Sequence, residues 1–517
     1  MNQITARPSA NRGVAPALVI GAGIGGLAAA VRLAAAGLQV TVVERAATPG
    51  GKMRTLPSTA GPVDAGPTVL TLCHIFEDLF AVAGTRLDDH VTLRRQDILA
   101  RHWWPDGSTL DLHADHEASA QAVRAFAGAK QERAFRRFSQ RAAKLFDAFD
   151  DPMMQTAQPG LANLTRKVMG QPALIPMLAP NSSLAHSLAK QFTDPRLTQL
   201  FGRYATYVGG SPYQSPAVLA LIWHAEAAGV WTVEGGMHAL ARAVADLAAS
   251  LGVRFAYNAH VAEIEFSGGR ASGVRFEDGS RMRASSVLFN GDPHALTLGL
   301  LGDANITAAP ETARAERSLS ANVWAFCATP DGLPLAHHNV FFCNDPAAEF
   351  DDIAAGRTPR DPTLYLCAED RGQANPPPNL ERFEMIANAP PLSNGTSPQE
   401  PTSCPTTRSF ETLKKFGLSL TPDPDNLTTP KGFAGLFPGS QGSLYGQSPH
   451  GLMAAFQRPT ARSMMPGLYL AGGGTHPGAG VPMAALSGRH AAEAIMADLA
   501  STSTFRPTAT LGGMSTG

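Results

Sequence analysis

A strand-like run, Ala17-Leu18-Val19-Ile20, feeds directly into Gly21-Ala22-Gly23-Ile24-Gly25-Gly26. An Ala/Leu-rich helical stretch over 27–36 follows, and Gly37 stops it. Gln39-Val40-Thr41-Val42-Val43 then reads as a second buried strand, completing a β-α-β unit. Each glycine of the turn has its own task. Gly21 permits the tight turn, Gly23 lets backbone approach a pyrophosphate, and Gly26 lets helix and sheet pack closely. The helix N-terminus presents unpaired N–H groups and a positive dipole end to phosphates. Glu44, at the end of the second strand, suits a ribose hydroxyl pair and repels a 2′-phosphate, so the ligand is FAD or NAD.

The residues after Glu44 decide between the two. Glu44-Arg45 followed by Pro49-Gly50-Gly51-Lys52 adds a second glycine turn and a cation. The pattern resembles the extended dinucleotide motif of glutathione-reductase-like flavoproteins, which implies FAD. Asp64-Ala65-Gly66-Pro67-Thr68 is similar to the segment with which amine oxidases and carotenoid desaturases pass the flavin. Near the C-terminus, 470–488 runs Leu-Ala-Gly-Gly-Gly-Thr-His-Pro-Gly-Ala-Gly-Val-Pro-Met-Ala-Ala-Leu-Ser-Gly. A strand, a glycine loop and a helix start there form a second cradle for an anion or a polar ring edge.

Further along, 77–200 is mostly helical and amphipathic. Gly235-Gly236 precedes a helix over 239–251 that Gly252 closes. Strands are expected at 253–255, 261–266, 271–276 and 287–289, with hairpin turns at Gly268-Gly269 and Asp278-Gly279. Strands over 340–342 and 363–366 fall in a third region, and 375–405 reads as a disordered insertion rich in Pro, Ser, Asn and Thr. The expected fold class is α/β, a Rossmann-type FAD-binding domain of the glutathione-reductase/amine-oxidase type with an inserted α+β substrate domain. Its FAD-binding parts are 1–80, 226–300 and 461–500. A mostly helical, membrane-facing substrate region covers 81–225, more substrate domain covers 301–460, and 501–517 is a loose tail.

Composition narrows the partners. Lys+Arg 42 against Asp+Glu 43 argues against nucleic acid, which selects a basic face. Charged residues make up 16%, below the usual ~25%. Five scattered cysteines without a CxxC pair fit a reducing compartment and no thiolate metal site. No apolar signal region opens the chain and no apolar run is long enough to span a bilayer. A cytoplasmic protein, or one held peripherally at the inner membrane, is the expectation.

These motifs resemble the phytoene-desaturase-like flavoproteins over most of 17–500. The resemblance is greatest to the 1-hydroxycarotenoid 3,4-desaturases (methoxyneurosporene dehydrogenases) of purple photosynthetic bacteria. Three stretches carry this finer likeness: Ala336-His337-His338-Asn339-Val340-Phe341-Phe342, Asp361-Pro362-Thr363-Leu364-Tyr365 and Leu444-Tyr445-Gly446. The resemblance implies an FAD-dependent enzyme that inserts a double bond into an acyclic carotenoid, with quinone or oxygen as electron acceptor. It implies cofactor contacts at Gly21, Gly23, Gly26, Glu44, Arg45, Gly51, Lys52, Thr68, Val261, Gly473, Gly474, Gly480, Val481 and Pro482. Lys52 departs from the common Arg, and either cation serves. A phytoene desaturase, a saturase or isomerase of the same fold, and a flavin amine oxidase stay open. So does a prenyl-protein-binding relative that lacks flavin, although such a chain has no need of the 472–482 loop.

A carotenoid is apolar and membrane-dissolved, so a hydrophobic channel must join bilayer and flavin. The stretch 161–188, with Leu164, Leu174, Ile175 and Leu178 beside Arg166, Lys167 and Lys190, suits an interfacial segment. No acid–base constellation stands out: His224, Glu226, Glu234 and His476 are isolated candidates. The cofactor carries the hard step, so catalytic residues are not assigned.

Overall fold

The computed structural model describes residues 16–392, 405–451 and 453–504. Five parallel strands form the first sheet, in the order Leu468–Leu470, Ser286–Phe289, Ala17–Ile20, Val40–Val43, Arg254–Ala256. All but Arg254–Ala256 are buried throughout, which is why they read as unbroken apolar runs. The helix Ile24–Ala35 crosses this sheet and packs between Met237–Ser250 and the last helix, Val481–Thr504. Its approach to the last helix is very close: a Cβ on Gly488 would stand 2.2 Å from the Gly25 carbonyl oxygen.

The second sheet has seven strands, ordered Asp423–Thr428, Ser320–Ala328, Glu381–Ala389, Leu364–Ala368, His338–Phe341, Ile98–Trp103, Thr109–His113. One face buries Phe326, Phe341, Phe383 and Met385, and residues of the other, among them Val323, Val340, Tyr365 and Ile386, line a cavity. Helices Ala129–Phe149, Leu184–Gln191, Pro195–Gly202 and Ile222–Ala227 close the molecule around Phe135, Phe138, Phe201 and Trp223.

Two expectations are corrected. The region 81–225 is not mainly helical at its start, because Leu93–Arg95, Ile98–Trp103 and Thr109–His113 are strands. A register shift between Ile98 and Ala100 breaks the period-2 pattern that would have revealed the hairpin. Within 375–405, Glu381–Ala389 is a central strand rather than disordered chain, paired on both sides. Its neighbours Pro376-Pro377-Pro378 and Pro390-Pro391 masked it, and 393–404 lies outside the described residues. The tail expected at 501–517 begins as helix through Thr504, and 505–517 is likewise outside them.

The stretch 161–188 forms Leu161–Gly170, Leu174–Leu178 and the start of Leu184–Gln191. Leu174 is only 6% exposed, whereas Leu161, Met169 and Ile175 are 53%, 68% and 45% exposed. No helix among the described residues is long and apolar enough to cross a membrane.

Candidate functional site

The glycine turn after Ala17–Ile20 is shaped from three directions. The Glu44 carboxylate accepts the Ala22 N–H at 2.7 Å and the Ala46 N–H at 2.8 Å, which locks the ends of the two strands together. Asn290, at the end of Ser286–Phe289, donates from Nδ2 to the carbonyls of Gly21 and Gly23 at 3.1 and 3.2 Å. The Gly50 N–H donates to the Ala22 carbonyl at 2.9 Å and so brings the second glycine turn alongside. Gly51 has φ +60°, and a Cβ there would lie 3.1 Å from the Gly23 Cα. Glycine at both positions is what leaves the cradle open.

The C-terminal loop enters from the other side. The Gly472 N–H donates to the Ser487 hydroxyl at 2.7 Å, and the buried Arg458 guanidinium donates to the carbonyls of Gly473 and Tyr445 at 3.0 Å each. Arg458 thereby ties the loop to 445–447, also through the Gln447 carbonyl. Burial lowers the Arg458 pKa to about 10. Lys52 donates from Nζ to the Leu444 carbonyl and sits over the Phe437 ring. Burial pushes its pKa down to about 8, partly opposed by the Asp292 carboxylate, itself ion-paired with Arg317.

One cavity of about 1030 Å³ joins these parts to the helical layer. It is at the upper end of the range typical of ligand pockets, ~300–1,000 Å³. Gly21, Gly23, Glu44, Arg45, Gly51, Lys52, Thr68, Val261, Gly473, Gly474, Gly480, Val481 and Pro482 all line it. Gly26 does not. A Cβ there would stand 2.3 Å from the Gly21 carbonyl oxygen, so Gly26 serves helix packing, not the cavity wall. The cavity continues between Phe146, Phe149, Leu164, Leu178, Leu219 and Ile222, while the second sheet contributes Val340, Tyr365, Ile386 and Asn388.

The isolated acid–base candidates all have structural partners. Glu234 pairs with Arg94 at 3.1 Å, His476 donates from Nε2 to the Thr156 carbonyl at 2.9 Å, and His224 stacks at a tilt near Phe146. Glu226 accepts hydrogen bonds from the hydroxyls of Tyr204 and Tyr207 at 2.7 and 2.8 Å. Sequence reasoning missed Asn290, Asp292, Arg317, Arg458 and Tyr365. The Tyr365 hydroxyl meets Thr68 Oγ1 and His338 Nδ1, both at 2.7 Å. Two signals were available: Tyr365 ends the stretch Asp361–Tyr365 that carries part of the family likeness, and Asn290-Gly291-Asp292 puts polar residues directly after an apolar strand.

A family model described as "Flavin containing amine oxidoreductase" matches residues 24–324 and 410–496. A hydroxyneurosporene desaturase of Cereibacter sphaeroides is 58% identical, over 94% of this chain and 98% of its own. A protein of the same name from Rubrivivax gelatinosus is 45% identical over 96% of both chains. A 1-hydroxycarotenoid 3,4-desaturase of a Flavobacterium species is 30% identical, over 93% of this chain and 98% of its own. Among solved structures, putrescine oxidase superposes with TM-score 0.60 at 14% identity, covering 94% of this chain and 99% of its own. That likeness shows the fold.

The cradle fits FAD by its own construction: two glycine turns held open, a carboxylate at the strand end, buried cations along the wall and a helix start at Val481. The chain belongs to the flavin containing amine oxidoreductase family, in its carotenoid desaturase branch, and is an FAD-dependent oxidoreductase acting on CH–CH groups.

Proposed function

We propose that this chain introduces the C3–C4 double bond into an acyclic 1-hydroxy or 1-methoxy carotenoid. The observation that carries the reading is the continuity of a glycine cradle with an apolar passage in one cavity. The names of the relatives at 58% and 30% identity support the substrate and the bond. FAD, when bound, supplies the acceptor for a hydride leaving an allylic carbon, after which the neighbouring proton is readily lost.

The protein's own part is binding, orientation and exclusion of water. Glu44 holds the ribose hydroxyls, and the backbone of Gly21, Gly23 and Gly51 cradles the diphosphate with Lys52 and Arg45 adding positive charge. Val261 would contact the cofactor on the Glu44 side, where the Ala259 N–H donates to the Glu44 carbonyl, and Thr68, Gly473, Gly474, Gly480, Val481 and Pro482 would line the rest of its site. Arg45 also donates to the Gly435 carbonyl at 2.8 Å, tying the cradle to the second-sheet region. Phe146, Phe149, Leu219 and Ile222 present only carbon to the polyene and keep the passage dry. Quinone or oxygen takes the electrons afterwards.

A membrane surface, the inner membrane in a bacterium, delivers the substrate. Leu161 both lines the cavity and is 53% exposed, and Met169 on the same helix and Ile175 on the next are exposed as well. The test is incubation of flavin-loaded protein with 1-hydroxyneurosporene, neurosporene and phytoene in liposomes, followed by mass and absorbance analysis of products. One added conjugated bond in the hydroxylated substrate is expected. Conversion of phytoene with none of the hydroxylated carotenoid would overturn the reading.

A further inference from the structure

An apolar passage for a hydrocarbon has no use for a guanidinium, yet Arg203 lines it. Its Nη1 donates to the Tyr207 hydroxyl at 2.6 Å, and that hydroxyl donates onward to Glu226 Oε2 at 2.8 Å. The Tyr204 hydroxyl donates to the other Glu226 oxygen at 2.7 Å. Every member of the cluster has its hydrogen bonds except Arg203, whose guanidinium lies over the Tyr204 and Tyr207 rings but whose Nε and Nη2 are buried without a hydrogen-bond partner. Unpaired buried donors cost free energy, and an acceptor oxygen held in the cavity would satisfy them.

The cluster's position is as informative as its chemistry. Arg203, Tyr207 and Glu226 all face the cavity. Arg203 interacts electrostatically with His338, and Tyr207 with Tyr365. Tyr365 is hydrogen-bonded to Thr68, in the segment that adjoins the cofactor cradle. Through His338, Tyr365 and Thr68 the cluster neighbours the cradle side of the cavity, whereas Leu164 and Leu178 belong to the helices that carry the exposed Leu161 and Ile175.

We infer that Arg203, oriented by Tyr207 and Glu226, is the subsite that binds the oxygen on C1 of the carotenoid. This rests on the substrate reading above. A hydroxyl or methoxyl oxygen accepts from the two free N–H groups, so the substrate enters oxygen-end first. Only C2 separates the oxygen-bearing carbon from C3, so anchoring the oxygen places C3–C4 beside the cradle and the rest of the polyene in the apolar passage. An unsubstituted end leaves the donors unpaired and is disfavoured.

The test uses full-length, flavin-loaded protein with Arg203→Met, Arg203→Lys and Tyr207→Phe. The dissociation constants for 1-hydroxyneurosporene and neurosporene are read by quenching of tryptophan fluorescence, and turnover is read in parallel. Wild type is expected to prefer the hydroxylated carotenoid. Arg203→Met is expected to shrink that preference at least about tenfold, the scale of a hydrogen bond to a charged group, and Arg203→Lys to restore part of it. Equal preference in wild type and a flavin-loaded Arg203→Met protein would overturn the subsite. If Arg203→Met does not hold flavin, Tyr207→Phe decides, since it frees the guanidinium and must also lower the preference. A wild type that prefers the hydroxylated carotenoid without desaturating it would instead overturn the proposed reaction and leave the subsite standing.

Discussion

Asn290 donates from Nδ2 to the Gly23 carbonyl at 3.2 Å, although 267 residues separate them. Parallel pairing of Ala17–Ile20 with Ser286–Phe289 brings them together, so the glycine turn is held by a distant strand end. Asn290→Leu removes the donor shared by Gly21 and Gly23 and leaves both carbonyls short of a partner. A loss of about 1–3 kcal/mol is expected. Thermal unfolding should show it, and the ratio of flavin to protein absorbance should fall. Unchanged flavin content would mean that the turn keeps its shape without Asn290.

Gly488→Ala tests the contact beneath the cradle. The added Cβ would meet the Gly25 carbonyl oxygen at 2.2 Å and the Ala29 nitrogen at 3.0 Å, both backbone atoms that cannot rotate away. The last helix must then move off Ile24–Ala35, carrying the 472–480 loop with it. Overpacking of this kind costs roughly 1–3 kcal/mol or more. Low soluble yield, or protein with little flavin, is the expected outcome. Gly37→Ala is the control for space, because nothing lies within 4 Å of its Cβ position, although its φ of +86° carries a smaller strain.

Much of the first sheet was legible because its strands are buried on both faces and read as apolar runs beside glycines. The second sheet was harder to see. In Glu381–Ala389, Phe383, Met385 and Ala387 enter the core, but the opposite face carries Glu384, Ile386 and Asn388, with Ile386 and Asn388 on the cavity wall. A strand that lines a cavity carries polar residues where a core strand would be apolar, and its sequence then resembles a loop. The cavity wall built from the two glycine turns and the C-terminal loop was legible through its glycines. Arg317 and Arg458 were not, since their partners lie in other strands and loops and no local spacing marks them, and Asn290 was marked only by its place directly after an apolar strand.

Acid should loosen the helical segment Asp150–Gln155, whose Met153 and Met154 line the cavity. His476 and His490 donate from Nε2 to the carbonyls of Thr156 and Met154 at 2.9 and 3.0 Å, anchoring the segment that carries Met153 and Met154. Burial lowers both histidine pKa values to about 4. Between that value and the ordinary ~6.5, the unfolded chain binds protons that the folded chain refuses. Their contribution is therefore complete above about pH 6.5 and declines as pH falls toward 4. The urea midpoint should drop over that window, and His476→Gln should flatten the drop.

Lys52 has the opposite consequence for cofactor binding. Its pKa of about 8 in the protein without ligand means that the cation facing the cradle is lost as pH rises through 8. An anionic ligand prefers the charged form, so FAD affinity should be highest below pH 8 and weaken above it. Lys52→Arg should remove this pH dependence, because a guanidinium keeps its proton. Fluorescence titration of apoprotein with FAD between pH 7 and 9.5 measures both. An identical decline in Lys52→Arg would assign the effect to another group.

Docking on a bilayer through the helices Leu161–Gly170 and Leu174–Leu178 can be tested without disturbing the fold, provided the positions are chosen by exposure. Leu174 is 6% exposed and packs with Leu145, Ala148 and Phe149, so a charge there would damage the core and report nothing about membranes. Met169 and Ile175, at 68% and 45%, are exposed on these same two helices. Inserting a side chain of this size into an apolar phase is worth ~1.5–3 kcal/mol, so each Glu substitution should weaken partitioning at least about tenfold. Lys167 adds attraction for anionic lipid, which makes binding salt-sensitive. Met169→Glu/Ile175→Glu protein with full flavin content should fail to co-float with anionic liposomes, yet still turn over carotenoid dispersed in detergent. Retained flotation of that variant would place the membrane contact elsewhere on the surface.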